Sequence, residues 1–245
     1  MRIALISDVH ANLRALEAVL KHIAGSGQVD AVYHAGDAVG YGPEPTECVE
    51  RIEKECAASI MGNHDHGLLG LTDIEAFNPI AVSAIEWTRE NISGDALETL
   101  RALPKTEKVR TPDMLLSHAN PGSPDTWEYV MSANNMQSAL NATKERFCVI
   151  GHSHMPFITE LDAEGRLSPH GKGPGKVNIN QDSRYLINAG SVGQPRDQDP
   201  RAAYVMMDDE SIEVVRVEYD VEATAKHMLE KGLHLALSER IKYGF

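Results

Sequence analysis

The 245-residue sequence predicts an α/β fold in which sheets form layers and helices lie outside them. Three observations carry that expectation. Short apolar runs alternate with longer stretches whose apolar residues recur at helical spacing. Beyond about Pro156 this βαβ-like texture gives way to successive strands separated by turn sequences. No linker-like stretch divides the chain, and its length can bury a sizeable core, so residues 1–245 are read as a single domain.

Arg2–Ser7 (RIALIS) is read as a buried strand. Asn12 then offers an N-cap, and Leu13, Leu16, Val19, Leu20 and Ile23 keep helical spacing until Gly25 and Gly27 stop the helix. Asp30–His34 is a second strand, and Pro43 and Pro45 open a helix through Thr46–Cys56. Ser59–Met61 is a short third strand. Pro79–Glu90 and Asp95–Leu103 are expected as helices, and residues from about 66 to 104 as a helical insertion. Trp87, Ile80, Ile85 and Ile92 serve either the core or a subunit contact. Met114–Ser117 and Phe147–Ile150 are strands flanking a helix near Asn135–Lys144. Phe157–Leu161, Arg184–Ala189, Ala203–Met207 and Ile212–Tyr219 then read as a meander, before helices at Val221–Lys231 and the C-terminus. The stretch His170–Lys176 (HGKGPGK) reads as a mobile loop whose Lys172 and Lys176 either reach over a phosphate substrate or are only solvated.

Lys plus Arg number 23 against 36 Asp plus Glu, a net charge of −13. Stable binding to nucleic acid or to an anionic membrane is not expected, because both require clustered Lys and Arg. A phosphate substrate stays open, because a bound divalent cation reverses the field locally. Cys48, Cys56 and Cys148 show no Cys-x-x-Cys spacing, which predicts reduced thiols rather than disulfides or zinc-thiolate sites. The apolar run Ile3–Ile6 is too short for a signal-peptide core, and no stretch approaches the roughly 20 apolar residues of a membrane span. A soluble, cytoplasmic protein is expected.

The informative pattern lies at the strand ends. Asp8-Val9-His10, Gly36-Asp37, Gly62-Asn63-His64-Asp65, His118-Ala119-Asn120 and Gly151-His152-Ser153-His154 each come directly after an apolar run. In α/β sheets, sites form outside the carboxyl ends of strands, so these side chains should converge although they are far apart in sequence. Carboxylates, neutral imidazoles and an Asn oxygen suit Mn, Fe, Zn or Ni. The set is too large for one ion and about right for two sharing a carboxylate, an arrangement used in phosphoester hydrolysis. Each motif alone has a plainer reading: a turn for Gly36-Asp37, a left-handed backbone for Asn63, a core histidine for His118. The five in order carry the inference together. His34 and His66, near the motifs, are read as structural.

As a set these motifs resemble the signature of the calcineurin-like metallophosphoesterase superfamily, over residues 1 to about 220. Gly36–Cys48 (GDAVGYGPEPTEC) and Gly190–Arg201 (GSVGQPRDQDPR) look like its small bacterial and archaeal phosphodiesterase-like branch. The resemblance implies a four-layer α/β/β/α sandwich of two mixed sheets flanked by helices. It implies two divalent metal ions, one held by Asp8, His10 and His154 and the other by Asn63, His118 and His152, with Asp37 bridging. It implies attack on phosphorus by a metal-bridging hydroxide. His64 would protonate the leaving group or stabilise the transferring phosphoryl, and Asp65 would orient His64 through a hydrogen bond. Asn63 and His64 would also meet the substrate.

The sequence departs from protein Ser/Thr phosphatases and symmetrical dinucleoside tetraphosphatases of that superfamily, which place an Arg shortly after the Gly-Asp. Here Ala38-Val39-Gly40-Tyr41-Gly42 comes after Asp37. Arg196 either supplies that charge to the substrate or pairs with Asp197 or Asp199. The expected activity is hydrolysis of phosphodiester or related bonds of a small, nucleotide-like phosphorylated substrate. The alternatives are a phosphomonoesterase or dinucleoside polyphosphate hydrolase, and a non-catalytic scaffold, which every filled ligand position argues against. Oligomeric state is open, with the Pro79–Leu103 helices as the candidate surface for a homodimer.

Overall fold

Alternate residues of the first strand, β1 (Ile3–Ile6), face different apolar clusters, and that period of two sets the layers. Ala4 and Ile6 pack with Leu16 and Val19 of α1 (Leu13–Gly25) and Val49 and Ile52 of α2 (Pro45–Glu55). Ile3 and Leu5 point the other way, to Met114 and Leu116 of β5 (Met114–Ser117) and Phe147 and Val149 of β6 (Phe147–Ile150). The far face of that second sheet, through Leu115, Cys148 and Ile150, is covered by Met136, Ala139 and Leu140 of α6 (Ala133–Ala142). The result is helix, sheet, sheet, helix: the four-layer sandwich the motifs implied. The computed structural model describes residues 1–170 and 175–245.

Each sheet has six strands among the described residues. The first runs β3 (Ala58–Ser59), β2 (Ala31–His34), β1, β11 (Ala202–Met207), β12 (Ser211–Val217), β9 (Gly175–Asn178). The second runs β4 (Thr106–Val109), β5, β6, β10 (Arg184–Asn188), β7 (Phe157–Leu161), β8 (Leu167–Pro169). Both are mixed: β1–β2, β2–β3, β5–β6 and β6–β10 are parallel, while β1–β11 and β7–β10 are antiparallel.

Several elements differ from the sequence reading. The late strands are not one meander: β7, β8 and β10 join the second sheet, whereas β9, β11 and β12 join the first. Short strands with weak alternation, β4, β8 and β9, carried no signal that period-two reasoning could see. Residues 171–174 of the Gly-rich 170–176 stretch, Lys172 among them, lie outside the described residues. Gly175 and Lys176 are the start of β9, with Lys176 opposite Glu213. The Asn63 motif itself forms a six-residue helix, α3 (Asn63–Leu68).

Between β3 and β4 the chain continues through α4 (Pro79–Asn91) and α5 (Gly94–Ala102). The α4 face that carries Ile80 and Trp87 has apolar partners within the chain. Ile80 and Trp87 pack beside Ala81 and Ala84 against Met228 of α7 (Val221–Glu230) and Leu237 and Ile241 of α8 (Leu235–Tyr243). The Trp87 indole N–H donates to the Lys231 carbonyl at 2.9 Å. No helix among the described residues is long and apolar enough to cross a membrane.

Candidate metal centre

The strand ends that carry the motifs are joined by backbone hydrogen bonds within each sheet, and the loop after β10 ties the sheets together, its Val192 and Gly193 N–H groups donating to the Ser7 and Asp8 carbonyls (3.0 and 2.9 Å). Asp8 N–H donates to the Gly36 carbonyl (2.9 Å) and His10 N–H to the Asp37 carbonyl (3.0 Å), which joins the loops after β1 and β2. Gly151 N–H donates to the His118 carbonyl (3.0 Å), which joins the loops after β5 and β6. A Cβ on Gly151 would collide with Ser7 Oγ and Asp8 Oδ2, so only glycine lets the β6 end approach β1 this closely. Gly62 does the same for Asp37, whose Oδ1 an added Cβ would strike. The backbone is strained by this convergence. Asp8, His10, Asp37, His152 and His154 all sit at left-handed φ (52°, 49°, 59°, 65° and 58°), each costing about 1–2 kcal/mol for a residue with a Cβ.

Two buried groups result, and they share one residue. Asp8, His10, Asp37 and His154 form one; Asp37, His118 and His152 form the other; within each, one ligand atom per residue lies within 4.8 Å of the rest. Asn63 stands beside the second group, its Oδ1 3.2 Å from His118 Nε2. The structure thus brings together every side chain the motifs nominated as a ligand.

The hydrogen bonds behind these side chains fix which atoms face inward. Backbone carbonyls only accept, so the imidazole nitrogens touching them carry the proton. His10 Nδ1 donates to Val39 O (3.0 Å), His118 Nδ1 to Ala35 O (2.8 Å), His154 Nδ1 to Gln194 O (2.5 Å) and His152 Nε2 to Trp127 O (2.9 Å). Such carbonyl partners set tautomer and ring orientation in metal sites. The opposite nitrogens then present lone pairs to the centre, and His10 Nε2 and His154 Nε2 face each other at 3.1 Å. Asp37 Oδ1 accepts His64 N–H at 2.8 Å, while Oδ2 is buried without a well-aligned hydrogen bond, His118 Nε2 lying 3.3 Å and His10 Nε2 3.6 Å from it. Ring nitrogens converging on a buried carboxylate oxygen are the donor set a cation satisfies, so these residues fit divalent metal.

The charges agree. Burial opposes ionisation of Asp8 and Asp37, yet in the acid range where a carboxyl titrates the protonated imidazoles of His154 and His118 around Asp8, and of His118 and His64 around Asp37, hold both below their ordinary value. Burial keeps His10, His152 and His154 neutral, taking His152 down to about 3. His118 is the exception. Burial lowers it, but Asp37, whose Oδ2 is 3.3 Å from Nε2, raises it to about 9. In the metal-free protein a proton on His118 therefore stands where a cation would.

Asp65 does not orient His64. Its two oxygens accept the N–H groups of Asp37 (2.9 Å), Ala38 (3.3 Å), Val39 (3.1 Å) and Gly62 (2.9 Å). It clamps the loop that carries Asp37 to the loop that carries Asn63, a role adjacency to His64 in sequence could not reveal. Burial raises its carboxyl to about 7, and the four donors work against that shift. His64 lies outside both ligand groups. Its ring packs edge-on to His10 (4.9 Å) and against Tyr41 (4.4 Å), with Nδ1 unpartnered among the described residues. Burial, then the Arg196 charge, lower it to about 4.

Arg196 pairs with neither neighbouring acid. Arg216 takes Asp197, and Arg201 and Arg216 take Asp199. Arg196 instead donates to Tyr41 Oη (3.3 Å) and Gln194 Oε1 (3.2 Å) and lines a cavity of about 500 Å³ with Asp37, Asn63, His64, His152 and His154. The same cavity is walled by Tyr41, Phe77, Trp127 and Tyr129, which sequence reasoning passed over. For Trp127 a signal existed: it lies in an irregular stretch with no apolar period, so no core element claims it. His66 is buried with its ring edge-on to Trp127 at 5.4 Å, and His34 is fully buried.

Residues 1–211 match the calcineurin-like phosphoesterase superfamily domain. An uncharacterized protein of Methanocaldococcus jannaschii is 40% identical over 246 aligned positions, covering 99% of this chain and 98% of its own. The crystal structure of a metallophosphoesterase from Sphaerobacter thermophilus superposes with a TM-score of 0.87 at 37% identity, with all of both chains covered. A symmetrical bis(5'-nucleosyl)-tetraphosphatase of Baumannia cicadellinicola is 25% identical over 155 residues, 62% of this chain and 51% of that protein.

Two outcomes are expected. Asp65→Asn should abolish metal retention measured by elemental analysis, because an amide NH₂ would face backbone donors; retained metal with a selective fall in kcat would restore the His64-orienting role. Metal uptake at pH 7 should release a proton from His118, so affinity should rise about tenfold per pH unit up to about 9, as calorimetry in buffers of different ionisation enthalpy would show.

Proposed function

The chain belongs to the calcineurin-like phosphoesterase superfamily, and from that membership and the site's geometry we propose that it is a hydrolase of phosphodiester or related phosphate bonds. The observation that carries the reading is Asp37, common to both ligand groups, with its buried Oδ2 facing a ring nitrogen from each, His10 Nε2 and His118 Nε2. Two ions would be held, by Asp8, His10 and His154 on one side and Asn63, His118 and His152 on the other, with Asp37 between. Manganese, iron, zinc and nickel all suit this donor set. When bound, such ions supply Lewis-acid chemistry: they polarise phosphoryl oxygens and make water acidic enough to attack.

The chain's own residues do the rest. Asn63 and Arg196 at the cavity orient phosphate oxygens, and the guanidinium is available because other arginines take its acidic neighbours. His64 sits at the same cavity, neutral at physiological pH. A neutral imidazole serves better as a fixed hydrogen-bond donor to the transferring phosphoryl than as an acid for the leaving group, and we assign it the first role. The acidic surface of the chain, at −13, disfavours polyanions and suits a small substrate. A nucleotide-like substrate is supported by the cavity size and by the tetraphosphatase similarity, which also supports dinucleoside polyphosphate hydrolysis as the second reading.

The test is turnover of bis(p-nitrophenyl) phosphate and p-nitrophenyl phosphate in parallel by Mn²⁺-reconstituted protein. The diester should be the better substrate, and Asp37→Asn should lose metal and activity together. His64→Ala should keep its metal while kcat falls about 10²–10³-fold. With a neutral donor at His64, kcat should show no descending limb between pH 5 and 8 attributable to that residue. Full metal occupancy with normal turnover in Asp37→Asn would overturn the assignment.

A further inference from the structure

Part of the cavity wall touches the ligand cluster only through one backbone carbonyl and a stacked ring, and its side chains have no place in the apolar core. Trp127 and Tyr129 lie in neither helix nor strand, and neither belongs to an apolar core cluster of the described residues. Trp127 holds a left-handed backbone at φ 54°, a strained choice for a residue of its bulk. Its carbonyl receives the His152 Nε2–H, which ties this segment to one edge of the ligand cluster. Its indole N–H is buried yet finds no acceptor among the described residues. Tyr129 stacks on His152 with ring centroids 4.1 Å apart and planes 16° from parallel. One face of the phenol is thereby covered, while the residue stays 47% exposed and lines the cavity.

A large aromatic side chain fixed by stacking on one face and open on the other is a platform. Trp127 lines the same cavity beside Tyr129, so the two aromatic side chains form one continuous wall. The cavity of about 500 Å³ falls in the range of small-molecule sites.

We propose that Tyr129 and Trp127 form a ring-binding subsite, so that the substrate carries a planar heteroaromatic group, such as a nucleobase, next to its phosphate. The ring stacks on the open face of Tyr129, with the Trp127 side chain on the cavity wall beside it. This deepens the hydrolase reading and rests on it for the position of the phosphate beside the ligand cluster. It places the ring beside the His118 and His152 group, whereas Phe77 stands by His64 (5.5 Å). The two arms of a diester would then meet different walls.

The experiment uses Mn²⁺-reconstituted protein with Trp87→Phe, which leaves Trp127 as the only tryptophan. AMP is titrated by stopped-flow fluorescence, so that binding is read before any turnover, and ribose 5-phosphate affinity is read by displacement of AMP. AMP should change Trp127 emission and bind roughly tenfold more tightly than ribose 5-phosphate, at the low end of what base stacking contributes. Tyr129→Ala should bring that ratio close to one, and Tyr129→Phe should restore it. A role for Tyr129 limited to supporting His152 would weaken both ligands alike and leave the ratio unchanged, which overturns the proposal, as does a ratio near one in the starting protein. Hydrolysis of bis(p-nitrophenyl) phosphate, measured alongside, reports on the hydrolase reading separately. An AMP preference without hydrolysis sinks that reading and keeps the subsite; hydrolysis without the preference does the reverse.

Discussion

Two imidazole nitrogens 3.1 Å apart, each with its proton committed to a carbonyl on the far side, repel one another unless positive charge lies between them. Much of the local structure exists to impose that arrangement. The ring protons of His10 and His154 are held outward by Val39 and Gln194, and Asp8 and Asp37 bring further negative charge to the same point. Left-handed backbone at five of the ligand positions adds several kcal/mol of local strain, about 1–2 kcal/mol at each. A fold does not hold converging lone pairs, buried carboxylates and strained backbone together for packing, since apolar side chains would fill the same space at lower free energy. A bound cation would relieve it, and these residues fit one.

The support for this arrangement is backbone rather than side chain. Asp65 spends both of its oxygens on main-chain N–H groups from the loops after β2 and β3, so the position of Asp37 depends on a residue that never touches the cavity chemistry. Gly151 lets the two sheets, and Gly62 the β2 and β3 ends of the first sheet, approach within what a methyl group would block. The apolar layers make this possible at a distance: Ile3 and Leu5 on one sheet against Leu116 and Val149 on the other fix the spacing at which β1 and β6 present their ends.

The range of each interaction decides how much of this could be read in the sequence. Strand-then-ligand order is local, and parallel strands carry their ends to one edge, so Asp8, His10, Asp37, Asn63, His118, His152 and His154 were legible as one cluster. The α1 N-cap by Asn12 was legible for the same reason, and its side chain accepts Ala15 N–H at 3.2 Å. The role of Asp65 was not, because its partners in the Asp37 loop lie 26 to 28 residues away and are main-chain groups that carry no sequence signal. Arg196 was ambiguous because its fate turns on Arg216 and Arg201, which claim the acids beside it. Assignment of the late strands to two sheets was hidden too: β9 pairs with β12 and β10 with β6, choices made by tertiary packing rather than by local pattern.

The central claim is that this cluster is a shared cage for two cations. Anomalous diffraction at the manganese edge, from crystals of protein reconstituted with Mn²⁺, tests it most directly. The account predicts two peaks per chain, one on each side of the Asp37 carboxylate, the first against Asp8, His10 and His154 and the second against Asn63, His118 and His152. A single peak, or peaks that leave Asp37 Oδ2 without a neighbour, would contradict it.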